Sequence, residues 1–149
     1  MESIWDYVYS VYRFQPYNEN GKRIKPPGKF SKFDLSSFFG ENFVEEYYND
    51  LNEKTIEAFQ MITQLNDIMY AFSWQHDCYS FNPYLEFEID EFEEWLIPVF
   101  PNGDFNFFLS EDFSSLIYSD GVEQSIYVCG ERLLSAFEEN LPTMFATPN

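Results

Sequence analysis

The period of the apolar residues changes once along this chain, and that change restricts the folds open to it. Ile56, Phe59, Ile62, Leu65 and Met69 recur at spacings of three and four, the period of a helix that buries one stripe. From Tyr70 the period drops to two. Tyr70-Ala71-Phe72-Ser73-Trp74 alternates, and so does Cys78-Tyr79-Ser80-Phe81, which Pro83 ends. Short apolar runs follow: Trp95 to Phe100, Phe105 to Leu109, Leu116 to Tyr118 and Ser125 to Val128. Asn102-Gly103 predicts a hairpin joining the first two, and Asp120-Gly121 separates the last two. Strands joined by such short turns pair antiparallel. Gly130 breaks the last run. Leu133, Leu134, Phe137 and Leu141 then predict a helix over 131–140, stopped by Pro142.

The first half adds the remaining elements. Ile4, Trp5, Val8, Val11 and Tyr12 form one stripe of a helix over 3–13, with Ser3 as its N-cap. A basic loop containing Pro and Gly occupies about 15–29. Phe30 to Phe39 predicts a short strand and a helical turn, closed by Gly40. Phe43 to Leu51 fits a helix or an edge strand; a strand over 46–51 is expected, with Asn52 capping the central helix. The whole is a single α+β domain over 1–149: an antiparallel sheet of about five or six strands, with N-terminal, central and C-terminal helices on one face.

Composition bounds the function. Eighteen Phe, 11 Tyr and 3 Trp give a modest chain a large core, and surplus Tyr and Trp suit a binding surface. The formal charge is −18, and it is unevenly spread. Five of the eight basic residues lie between Lys22 and Lys32; from Phe33 onward two basic residues face 23 acidic ones, 2 − 23 = −21. Such a body repels nucleic acid and anionic membranes and attracts cationic partners. The charges of the basic loop fit a solvated surface loop or, alternatively, an internal counter-ion for the acidic body. No apolar leader or membrane-length run is present in the sequence, and two cysteines, Cys78 and Cys129, are expected reduced and buried in a cytoplasmic protein.

Candidate chemistry gathers between Trp74 and Asp112. Trp74, His76 and Cys78 would share one face of a strand and line a pocket, where a Cys–His pair can act as nucleophile and base. The alternative is a core strand with a hydrogen-bonded histidine. One His and two distant Cys match no zinc spacing, and the run Glu86, Glu88, Asp90, Glu91, Glu93, Glu94 lacks the calcium-loop pattern. No cofactor is expected. That run alternates with Phe87, Ile89 and Phe92, so it predicts an acidic ridge with one packed side. Tyr84, Glu86, Phe87, Glu88, Asp90, Glu91, Phe92, Glu94 and Trp95 are the candidate partner-binding residues.

At WQHDCYSFNP, EWLIPVFPNGDFNFFLSEDF and YVCGERLLSAFEENLP the chain resembles an uncharacterised bacterial family, domain-of-unknown-function family 2716. Trp95-Leu96-Pro98, Gly103-Asp104 and the strand Phe105 to Leu109 are similar to the SMI1/KNR4-like superfamily, which implies toxin neutralisation by binding. Charge, rings and resemblance together predict a non-catalytic, acidic immunity or antitoxin protein. Its partner would be a protein with a basic surface, a toxin or a nucleic-acid enzyme. Two alternatives stay open: a phage-type anti-defence inhibitor or DNA mimic, and a small-ligand binder or enzyme using the Trp74, His76, Cys78 pocket.

Overall fold

Among the described residues six short strands form one sheet in the order β1-β6-β5-β4-β2-β3, every neighbouring pair antiparallel. The structure, a computed structural model, describes residues 2–19, 22–85 and 95–146. The strands are β1 Phe30–Asp34, β2 Met69–Ser73, β3 Cys78–Phe81, β4 Phe105–Ser110, β5 Leu116–Asp120 and β6 Ser125–Cys129. The helices are α1 Glu2–Ser10, α2 Glu45–Ile62, α3 Glu131–Glu139 and α4 Thr143–Ala146. Two 3-10 turns, Ser36–Phe38 and Gly40–Asn42, lie between β1 and α2. The α+β class, the antiparallel sheet and the three helix locations follow the sequence. The short α4, beyond Pro142, does not.

The helices do not share one face. Alternation along β4 sends Phe105, Phe107 and Leu109 to one side and Asn106, Phe108 and Ser110 to the other, all six buried. On the first side Ile4 and Val8 of α1 join Tyr12, Phe14 and Ile24 over Phe72, Phe107, Tyr118 and Tyr127. On the second side Leu51, Phe59 and Ile62 of α2, Leu133 and Phe137 of α3 and Met144 of α4 cover Phe108, Ile117, Ile126 and Val128. The expected one-sided sheet is therefore a three-layer sandwich. Ring excess explains why so short a chain fills both layers: Phe14 alone lies against Trp5, Tyr9, Trp74, Phe105, Phe107 and Tyr118.

Three boundary expectations fail for identifiable reasons. Residues 46–51 are helical, since α2 begins at Glu45 behind an extended Val44 that offers no side-chain cap; Asn52 lies inside the helix. At the other end α2 stops at Ile62, Leu65 is exposed in a turn and Met69 already belongs to β2. Their three-and-four spacing is coincidental. In α1, Ser3 is inside the helix, not before it.

The fourth failure concerns the predicted hairpin. Trp95 to Phe100 forms no ladder with β4, whose neighbours are β2 and β5. Pro98 and Pro101 remove two donors that a strand here would need. The segment lies instead across the second face, with Ile97 and Val99 in its core. Asn102-Gly103 does turn the chain, with Gly103 at φ +96°, but the turn docks on the β5–β6 turn. Gly121 donates its N–H to the Asp104 carbonyl at 2.9 Å, and a Cβ on Gly121 would lie 2.4 Å from the Gly103 backbone.

Gly130 joins β6 to α3 at φ +104°, and a Cβ there would meet the Ser114 carbonyl oxygen at 2.5 Å. Gly130→Ala is expected to cost about 1–3 kcal/mol from the backbone conformation alone, with the clash added. A lowered urea midpoint with unchanged slope would register it.

Candidate functional site

The basic loop is built into the fold as a counter-ion. Residues 11–19 and 22–29 cross the first face, tied by Gln15 N–H to the Arg23 carbonyl and Lys25 N–H to the Tyr12 carbonyl. This delivers Arg23 to the end of β5. Its Nη1 donates to Asp120 Oδ1 at 3.3 Å and Oδ2 at 3.0 Å, its Nε donates to the Pro16 carbonyl, and its guanidinium lies 5.4 Å over the Phe105 ring. Asp120 is 1% exposed and also accepts from Tyr118 Oη and the N–H groups of Val122 and Glu123. Lys32 pairs with Glu123, and Lys29 pairs loosely with Glu131 on the surface.

Burial would raise the Glu123 carboxyl, but hydrogen bonds from Lys32 and Ser125 outweigh it and hold the group below the ordinary glutamate range. Ser114 side-chain and backbone donors lower Asp112 likewise. A carboxyl lowered in the folded state adds stability above its unfolded value, near 4, and that contribution is lost as pH falls through the folded value. The same acidification relieves repulsion in a chain of charge −18 and pI about 4.1. Stability is therefore expected to rise from pH 8 to about pH 5 and to collapse below about pH 4. Thermal melts across that range check both limbs.

Trp74, His76 and Cys78 are not neighbours on one strand. β2 ends at Ser73, and the β2–β3 connection turns through Gln75, which has φ +66°. The turn is closed by the His76 N–H to the Ser73 carbonyl at 3.0 Å. Trp74 and Cys78 go to the first face, where they flank the α1 cluster. Trp74 Nε1 donates to Tyr9 Oη at 3.2 Å, and Tyr17 stands edge-on against its ring, 86% exposed. His76 projects elsewhere, with Nε2 at 3.5 Å from Asp104 Oδ1. Burial raises the Cys78 thiol, and the same cause raises buried Cys129, so both stay protonated at neutral pH. Neither is an activated nucleophile.

His76 opens onto a different site, on the second face. Ser73, Asn106 and Ser119 are register partners across β2, β4 and β5, a buried polar row in an apolar layer. Two of them hold the covering segment: Ser119 Oγ donates to the Val99 carbonyl, and Asn106 Nδ2 donates to the Pro98 carbonyl and to Asn102 Oδ1. The third, Ser73, is beyond the cover. It is 2% exposed, and its Oγ has no partner. It lines a cavity of about 200 Å³ together with His76, Asp77, Asn102, Asp104 and Asn106. Tyr79 Oη, on the wall, donates to Asp77 Oδ2 at 3.2 Å. Sequence spacing pointed to His76 but not to Asn102 and Asp104, whose segment it assigned to a hairpin, nor to Asn106, a strand position with no signal of its own.

Of the predicted ridge, Glu86, Phe87, Glu88, Asp90, Glu91, Phe92 and Glu94 lie outside the described residues. Its two flanks have bonding roles of their own. Tyr84 Oη lies 2.7 Å from the Gln60 carbonyl and 3.2 Å from that of Thr63, clasping the end of α2. Trp95 is half-buried against the second core, its ring 6.4 Å from that of Phe108. Among the described residues no group of three His, Cys, Asp or Glu side chains is placed to hold a metal ion. No helix of these residues is long and apolar enough to cross a membrane.

Fold and site define a small, acidic α+β protein with a loop-borne arginine locked to its sheet. The chain belongs to the family described as "Protein of unknown function (DUF2716)", whose sequence profile matches residues 1–134. A relative from Bacillus subtilis (strain 168), described as "Uncharacterized protein YxiI", is 40% identical over 148 residues, covering 97% of this chain and 91% of that protein. No solved structure matches. The first resemblance is thus established; the likeness to the SMI1/KNR4-like superfamily is not carried by these matches.

Proposed function

We propose that this chain is a non-catalytic, cytoplasmic binding protein that neutralises a protein with a basic surface, in the manner of an immunity protein or antitoxin. One observation carries the proposal: from Phe33 onward two basic residues face 23 acidic ones. Arg23, Lys29 and Lys32 pair with three of those carboxylates and leave the greater part of the field for a partner. Such a field speeds encounter with a cationic surface and fixes its orientation. Anchors of the kind that concentrate binding energy are available in Tyr9, Tyr17 and Trp74, grouped beside the β2–β3 turn. The 86–94 run enters through its charge alone.

Co-purification of the tagged chain expressed in Bacillus subtilis tests this. The expected result is a stoichiometric protein partner of basic isoelectric point, released by salt. It should be lost when Glu88, Asp90, Glu91 and Glu94 are all replaced by Ala. Retention of the partner by that variant at low salt would remove the ridge from the interface. An acidic or neutral partner that salt does not release would end the charge-based reading.

A further inference from the structure

We propose that the cavity at Ser73 receives an arginine side chain of the partner protein. This inference rests on the binding function proposed above and names what the partner presents. The cavity wall carries two carboxylates beside Leu96, Ile97, Tyr79, His76 and two Asn side chains. Asp77 and Asp104 contribute the carboxylates, one from the β2–β3 turn and one from the segment leading into β4. Ser73 lines the same cavity, buried and with its hydroxyl oxygen unpartnered. Its register partner Asn106 and the next residue in the row, Ser119, spend their polar groups on backbone carbonyls of the 95–104 segment. Ser73 meets no such carbonyl. A buried hydroxyl without a partner is costly in a core, and a donor arriving from outside removes that cost.

Two carboxylates and a hydroxyl oxygen call for a cation with several donors held in one plane. Guanidinium presents five N–H groups in a fixed fork and is weakly hydrated for its charge; an ammonium presents a compact, strongly hydrated point. The position also fits. His76, which lines the cavity, is more than half exposed, so the cavity is open to a partner on the second face. Arginine is enriched among interface hot spots, and its bonds to carboxylates are among the strong ones.

The experiment is a heteronuclear NMR titration of the full chain with N-acetyl-arginine amide at low salt. The side-chain amides of Asn102 and Asn106 and the His76 ring are followed. N-acetyl-citrulline amide and N-acetyl-lysine amide are the comparison probes. The arginine probe is expected to give saturable shifts at these three residues, and citrulline none. Asp104→Asn, at a half-exposed position with near-identical shape, should weaken the arginine probe by about tenfold. Glu138→Gln on the exposed side of α3 should not weaken it. Ser73→Ala should weaken the probe while leaving the urea midpoint unchanged or higher, which a hydroxyl needed by the fold would not do. Absence of saturable shifts overturns the assignment, and so does equal binding of the lysine probe or indifference to Asp104→Asn. A chain that binds its protein partner yet ignores the arginine probe loses this inference and keeps the proposed function. A chain that binds the probe but no basic protein loses the function and leaves only a guanidinium-binding cavity.

Discussion

Arg23→Ala is expected to destabilise the protein by about 3–5 kcal/mol, far more than an arginine in a surface loop would. The reason is what remains behind. Asp120 is buried at the end of β5 and would keep three donors, Tyr118 Oη and two backbone N–H groups, but lose its compensating charge. The guanidinium also ties the segment around Pro16 over the first face, through the Pro16 carbonyl and the Phe105 ring. Arg23→Lys should fall between, since it keeps the charge and gives up the fork that reaches both Asp120 oxygens. The combination Arg23→Met with Asp120→Asn should cost less than Arg23→Ala alone, because no buried charge is then stranded. Urea midpoints of the four proteins test this. A loss below about 1 kcal/mol for Arg23→Ala would place the pair among ordinary surface ion pairs.

Phe107→Ala is expected to cost about 3–5 kcal/mol and to act on one layer of the molecule. Phe107 is fully buried, stacked on Phe72 at 5.1 Å and in contact with Trp5, Phe14 and Tyr118. Its removal takes away the floor on which α1 rests. Proteolysis should then open the segment before residue 30 first, with loss of the Trp5 contribution to blue-shifted fluorescence. Phe108→Ala is the matched comparison. Its ring faces Phe59, Phe81 and Trp95 on the opposite side, so a similar loss of stability should leave α1 protected. If both variants release the same segment, the two layers are not separable.

The sequence was most readable where one local signal determined the outcome. Asp120-Gly121 between two apolar runs gives the β5–β6 hairpin, and Gly130 followed by Leu133 and Phe137 gives α3. It was least readable where tertiary packing decided. α2 starts without a capping side chain, so Glu45 carries no start signal, while Asn52 is a cap residue inside a helix. Trp95 to Phe100 is apolar because it covers a sheet face, and composition alone does not separate a covering segment from a paired strand. That misassignment hid part of the cavity, since Asn102 and Asp104 lie on the segment that folds across the sheet, while Asn106 reaches Ser73 through the β2–β4 ladder. The basic loop was different: its charge, set against an acidic body, left a solvated loop and an internal counter-ion both open, and Arg23 with Asp120 provides the second.

The claim that an acidic surface captures a basic protein is tested most directly by the association rate constant with the co-purified partner, measured by stopped flow across a salt series. Steering by the chain's charge predicts a rate that falls about ten- to a thousandfold as salt rises from low to well above physiological, with dissociation changing far less. A rate constant that stays flat across the series would contradict it.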